Sequence, residues 1–401
     1  MSKKRIVLKA VLAALLIYAC WLGWQVLRFK TYPSAPAPAT SPAEPAPPSR
    51  EIEGVYHIHS RYSDGRKTPD QIARIAAEAG LDFIILTDHG KPNYASLASQ
   101  GWKDGLLVLA GSELSVSRGH LVGLEFSQPS RTFSQNAELA AREINALGGF
   151  SIIAHPYSKT RWSWGTEVEF SGIEIIDADT MIQKNALRFL LYLPALFVQP
   201  KLTLLRIIDP PSQTLRKWEE LNSRNNVSGQ SRVYGYFSAD AHFIYKAVFP
   251  VFHLHVLLEK PLSREFEAAR RQVFDALRTG RFFNAVDAAA KAEGFNFWAE
   301  NDGKIYPMGE ELDLERGEAG PTGPVKLRVR APFSFAHEIR LVCNGQILMR
   351  SSEREATFEA SVPGVYHAEV YLRKKSPLHA AVPWILSNPV FLRVPLRKEI
   401  R

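Results

Sequence analysis

Six of the eleven histidines fall between positions 57 and 242, and three acids accompany them in a fixed order. In Y-H-I-H-S-R-Y-S-D-G, His57 and His59 lie two residues apart, so on a strand both imidazoles face one side. Asp64 follows on the loop. His89 ends the apolar run before T-D-H-G, Glu113 lies in G-S-E-L, His120 follows in G-H, and His155 lies in A-H-P. Asp240 and His242 close the series, again two apart, in A-D-A-H. Imidazoles and carboxylates are the N/O ligands of borderline divalent ions, and this many donors exceed what one four- to six-coordinate ion needs. The set calls for two or three divalent ions such as zinc, manganese or iron. A lone H-x-H on a strand is more often a core or surface pair; the ordered series sets this one apart. His253 and His255 form a further H-x-H outside the series and read as ordinary strand residues.

Three neighbours of these donors could assist. Arg118 and Lys91 carry charges that would suit an anionic substrate, although each also reads as a plain surface cation. Asp88 could orient His89 from behind, or merely cap its strand.

A scaffold must gather these positions at one place. From Val55 onward, short β-rich runs alternate with helices: Val55–His59, L-D-F-I-I-L-T-D, L-L-V-L-A, F-S-I-I-A-H, I-E-I-I-D and V-Y-G-Y-F-S-A-D. Thr68, Pro69 and Gln71 spell a capped helix start, and Ala137–Leu147 and Arg264–Thr279 read as amphipathic helices. Such alternation predicts an α/β fold with a largely parallel sheet, either a barrel or a doubly wound sheet. In such folds functional groups collect at the carboxyl ends of strands, where most of the donors fall. Residues 183–208 are an unusually apolar insertion, expected to cover the body as helices or to meet a membrane surface or hydrophobic substrate. After about 296 the texture turns to short alternating runs between turn residues, which predicts a small antiparallel β-sandwich over 296–401. The body is then 51–295.

The N-terminal thirty residues differ from the rest. Residues 10–27 carry no charge, and with Ile6, Val7 and Leu8 the apolar run reaches the roughly 20 residues that span a bilayer. This predicts a single-pass signal anchor over 1–30. Four basic residues before the run against two after it favour an inside N-terminus and a body on the outer, extracytoplasmic side. Residues 31–50 hold seven prolines and read as an extended spacer. Six basic residues and no acid in the first thirty leave only +2 of the formal +8 for the remainder, so no nucleic-acid footprint exists. The two cysteines exclude a disulfide scaffold and a cysteine-based zinc ribbon.

The ordered set H-x-H, acid, D-H, strand-end glutamate, G-H, A-H-P and D-x-H resembles the PHP family (polymerase and histidinol phosphatase domain) over about residues 54–285. The resemblance implies a distorted β7α7 barrel related to the TIM barrel. It also implies a partition of ligands: His57, His59, Glu113 and Asp240 on one ion, with Glu113 bridging to a second held by His120 and His155. Asp64, His89 and His242 would hold a third; the trinuclear histidinol phosphatases carry histidine where this chain has Asp64. Within the family, the apolar insertion before D-P-P, S-A-D-A-H and the C-terminal P-W-I-L-S-N-P-V-F resemble CehA/McbA-type hydrolases. The implied activity is hydrolysis of a small molecule by metal-activated hydroxide, with a phosphoester substrate favoured. A carboxyl-ester, carbamate or amide substrate is the alternative. A non-catalytic metal-binding surface module ranks third, since no donor of the set is missing.

Overall fold

The computed structural model describes residues 3–29, 50–158, 162, 170–228, 232–314, 316–317, 320–321, 324–332, 337–373, 376 and 378–393. All of the proline-rich spacer except Arg50 lies outside the described residues. The fold is mixed α/β. Its body uses strands β1 (Arg50–Ile58), β2 (Phe83–Leu86), β3 (Gly101–Lys103), β4 (Leu106–Ala110), β5 (Ser112–Val116) and β6 (Gly119–Leu124). These are followed by β7 (Phe150–Ala154), β8 (Gly172–Asp177), β9 (Tyr234–Ser238), β10 (Phe252–Leu258) and β11 (Phe282–Val286).

β1, β2 and β4 are parallel neighbours, as are β7, β8 and β9. Isolated parallel bridges between Ile58 and Ala241, and between His89 and Glu113, join these two groups at both ends. The strands therefore run round in a ring whose parallel members end on one rim. The ring departs from a uniform run of parallel strand–helix units: β5, β6 and β7 form an antiparallel meander, and β10 lies antiparallel to both β1 and β11. Ile52, Tyr56, Phe83, Ile85, Leu109 and Tyr236 fill its inside, together with Phe274 of the helix Phe266–Arg278. The helices Pro69–Glu78, Ala137–Ala146 and Ser212–Ser228 pack outside it. The first of these starts as its sequence dictates: Thr68 accepts from the Gln71 N–H and the Gln71 side chain accepts from the Thr68 N–H. Such a cap is worth about 1 kcal/mol.

The edge of β9 is covered by side chains. The Asn284 amide accepts from the Phe237 N–H at 2.7 Å and donates to the Gly235 carbonyl at 2.9 Å. Asn388 accepts from the Gly235 N–H at 2.9 Å and donates to Phe282 O at 3.0 Å. The two amides take the place of a ladder between β9 and β11, so the S-N-P motif has a structural task. β11 in turn pairs with Ile385–Ser387, and through it the strands Gly364–Leu372, His337–Cys343 and Val390–Arg393 continue the sheet of β1. A separate four-stranded sheet contains Asn296–Asn301 and Val325–Arg330. The C-terminal strands expected to form a small sandwich thus fall in more than one sheet, and one of these is an extension of the body sheet.

The insertion forms the helices Ala178–Lys184, Ala186–Leu196 and Pro200–Ile207. Leu202, Leu204 and Leu205 are buried, whereas Leu187, Phe197 and Val198 are 85%, 84% and 72% exposed. Among the described residues one helix, Lys3–Arg28, is long and apolar enough to span a membrane or to serve as a signal sequence. Leu22 on it packs with Tyr192, Ala195 and Leu202 of the insertion, and the Tyr18 hydroxyl donates to Leu191 O at 2.7 Å.

Candidate metal centre

The nine donors singled out in the sequence converge on the rim where β1, β2, β7, β8 and β9 end. Local backbone distortion aims several of them. On β1 the register slips between Tyr56 and Ile58, so His57 is the extra residue of a bulge, with φ 66°. Ile58 then faces the outer helices, and His57 and His59 both turn inward. His155 (φ 25°) and Asp240 (φ 40°) also leave the usual region. Non-glycine residues at positive φ cost on the order of 1–3 kcal/mol each and cluster where a site over-determines them.

Glu113 is the hub. Its Oε1 lies 2.6 Å from His120 Nδ1 and 2.9 Å from His155 Nε2. Its Oε2 lies 3.2 Å from His57 Nε2, 3.1 Å from His59 Nε2 and 3.4 Å from His89 Nδ1. Asp240 Oδ1 faces the same pair from the other side, 3.4 Å from His57 Nε2 and 3.2 Å from His59 Nε2. Asp64, half exposed, stands 3.3 Å from His242 Nε2 and 3.6 Å from His89 Nε2. The donors whose ligand atoms lie within 4.8 Å of one another form overlapping groups: His59 with Asp64, His89 and His242; His57 with Glu113 and His155; His57 with His59 and Asp240; and His89 with Glu113 and His120.

The charges interlock. Burial works against a proton on His57, yet Glu174, Asp240 and Glu113 outweigh it and hold its pKa well above the imidazole range. His155 is pushed up to about 10, with burial opposing and Glu113 prevailing. Burial alone would raise Glu113, but His57, His120 and His155 hold it well below the carboxylate range. His89 goes the other way, because burial lowers it more than Glu113 raises it. One carboxylate facing five imidazoles is a site built to receive positive charge.

Metal ions fit that demand. His59 Nε2, His89 Nδ1 and Asp240 Oδ1 are buried, point into the cluster and have no hydrogen-bond partner among the described residues. Bonds of about 2.0–2.2 Å in a tetrahedral shell place ligand atoms roughly 3.4 Å apart, close to the spacing around His57, His59, Glu113 and Asp240.

Two acids escaped the sequence reading. Glu174 on β8, fully buried, accepts from His57 Nδ1 at 2.6 Å and from the His155 backbone N–H at 2.7 Å. Asp177 at the end of β8 caps the next helix through Thr180 N–H, and burial, with Asp240, pushes its carboxyl up to about 8. Their signal was present: I-E-I-I-D places acids inside an otherwise apolar strand, where a charge persists only with a partner.

A cleft of about 200 Å³ opens over the cluster. Six of the nine donors line it, with Ser158, Asp179, Thr180 and Gln183. Arg118 is exposed, and neither it nor Lys91 belongs to this lining. Asp88 does not orient His89. Its Oδ1 accepts from Ser60 N–H at 2.6 Å and Ser63 Oγ–H at 2.7 Å, and its Oδ2 from Ser60 Oγ–H at 2.8 Å. It braces the loop that carries Asp64, because the Ser60 and Ser63 donors approach it from that loop.

No protein-family model matches the chain. An uncharacterised protein of Methanocaldococcus jannaschii is 26% identical over 142 residues, which cover 32% of this chain and 82% of that one. A 3',5'-nucleoside bisphosphate phosphatase of Chromobacterium violaceum is 40% identical over 73 residues, 17% of this chain. The match spans only 26% of the phosphatase. Among solved structures, a two-domain protein of Bacteroides vulgatus containing a predicted PHP-like metal-dependent phosphoesterase aligns with 14% identity and a TM-score of 0.38, over 85% of this chain and 95% of that one. An amidohydrolase of Chromobacterium violaceum with bound sulfate aligns with 17% identity and a TM-score of 0.31, over 48% and 88%.

Proposed function

We propose that this protein is a membrane-anchored, metal-dependent phosphoesterase of the PHP type, with its body on the outer side of the membrane. The observation that carries the reading is the convergence of nine N/O donors in overlapping groups, with five of the imidazoles facing Glu113. The local identity with a nucleoside bisphosphate phosphatase agrees with it. Two or three ions bound there would neutralise charge on a substrate oxygen and lower the pKa of water to near neutrality.

The chain's own residues supply the rest. Glu113 reaches two groups at once, and Glu174 orients His57 while tying down the backbone of His155. Asp179 lines the cleft, and burial with the nearby Asp240 raises its pKa. The cleft walls favour a polar substrate over an ester with a large apolar part. The apolar helix Ala186–Leu196 packs Tyr192 and Ala195 against the N-terminal helix, and none of its residues lines the cleft.

The test compares a nitrophenyl phosphate and a phosphodiester with a naphthyl ester and a carbamate, using metal-loaded full-length protein in detergent. Phosphoester turnover that needs metal and disappears in His57→Ala is the expected result. Metal-dependent turnover of the carboxyl substrates alone would overturn the phosphoesterase assignment.

A further inference from the structure

A second histidine–acid cluster lies on the opposite face of β1 from the inner core. On β1, Ile52 and Tyr56 face inward and Glu51 and Glu53 outward; on β10, Leu254 and Val256 face inward and His253 and His255 outward. Antiparallel pairing sets Glu53 directly across from His255. Asp287, one residue beyond β11, completes the group, and His253, His255 and Asp287 are almost fully buried.

The tautomers are constrained from outside. His253 Nε2 lies 2.7 Å from Phe249 O, a contact only an N–H can make. Its Nδ1 then faces two carboxylate oxygens, Glu53 Oε2 at 3.1 Å and Asp287 Oδ2 at 3.0 Å. His255 Nδ1 lies 2.6 Å from Glu51 Oε1, whose other oxygen accepts from Gly294 N–H at 2.9 Å. Its Nε2 points towards Asp287 Oδ1 at 3.3 Å and has no hydrogen-bond partner among the described residues. Each imidazole thus has its outer nitrogen tied to an oxygen and its inner nitrogen aimed at shared carboxylates. Metal-ligating histidines are held in this way.

We propose that Glu53, His253, His255 and Asp287 form a second metal site, for a structural divalent ion of the zinc type. Their four donor atoms lie within 4.8 Å of one another. Two imidazole nitrogens and two carboxylate oxygens supply the four N/O donors of a tetrahedral zinc shell. Lys291 competes for the place, with Nζ 2.5 Å from Glu53 Oε2 and 3.1 Å from Asp287 Oδ2. It is 41% exposed at the side chain, so its ammonium reaches solvent as well as the acids. The ion would pin β1 and β10 to the segment that leads from the body into the C-terminal strands.

The test is anomalous diffraction at the zinc edge from crystals of the full chain grown with zinc, because position separates this site from the Glu113 centre. A peak among His253 Nδ1, His255 Nε2, Glu53 and Asp287 is expected. Zinc competition on the same protein should show Glu51→Gln weakening uptake at this site by about 10–100-fold, the usual cost of losing an outer partner. Lys291→Met should tighten it at least about tenfold, equivalent to removing about 1.4 kcal/mol of competition. A cluster without a peak, with the ammonium of Lys291 still between the acids, overturns the proposal whether or not the Glu113 centre is loaded. A peak here with an empty Glu113 centre would instead overturn the catalytic reading.

Discussion

Between His57 Nδ1 and the His155 backbone N–H, the Glu174 carboxylate accepts two hydrogen bonds from a fully buried position on β8. A carboxylate can accept on both sides, whereas a glutamine turns one side into a donor that opposes an N–H. Glu174→Gln should therefore disturb either the His57 ring or the His155 backbone without changing volume. Metal affinity should fall by about 10–100-fold while the circular dichroism spectrum stays unchanged. Metal competition measures this, and an unchanged affinity would reduce Glu174 to a packing residue. The donors themselves were legible because residue type, order and spacing all repeat one chemistry. Glu174 was not singled out because a lone acid in an apolar strand announces burial but not its partner, which lies far away on β1. His253 and His255 show the converse: the same H-x-H spacing was read as ordinary strand, since nothing local reveals that Glu53 and Asp287 lie beside it.

At the scale of elements, the two-residue spacing of His57 and His59 led to the correct face for an incomplete reason. Simple alternation would place His57 with the outward Glu51, Glu53 and Val55; the bulge turns it inward. Bulges leave little trace in a single sequence, so the strand was visible and its break was not. The loop after β1 shows a similar dependence on distant support. Gly65 sits where an added Cβ would lie 2.1 Å from His59 O, and Asp88 gathers Ser60 and Ser63 beneath the loop. Asp88→Asn would replace an acceptor with a donor facing those serines and loosen the placement of Asp64. The number of ions retained after dialysis should fall by about one, from the Asp64, His89 and His242 group, while the Glu113 groups keep theirs. Full retention of all ions at unchanged affinity would show that Asp64 does not depend on this brace.

Over the whole molecule, the sequence marked the change of texture near residue 296 but not the continuity across it. The pairing of β11 with Ile385–Ser387 joins residues about a hundred positions apart, which no local pattern encodes. The apolar insertion was legible as unusual, and the structure divides its roles. Leu204 and Leu205 join the body's core and Leu202 packs against Lys3–Arg28, while Leu187, Phe197 and Val198 stand exposed. A helix that abuts the apolar N-terminal helix and exposes bulky apolar side chains has the composition of an interfacial element. Fully burying one Leu or Phe side chain is worth about 1.5–3 kcal/mol, so even partial insertion of these residues should hold the body at a bilayer. After proteolysis of reconstituted protein between the N-terminal helix and Arg50, the freed body should still sediment with vesicles. The double substitution Leu187→Glu and Phe197→Glu should weaken that association by about tenfold or more, because each change removes buried apolar surface and adds a charge. If the unaltered body leaves the vesicles as soon as the tether is cut, the N-terminal helix alone anchors the protein and the exposed face of Ala186–Leu196 serves another purpose.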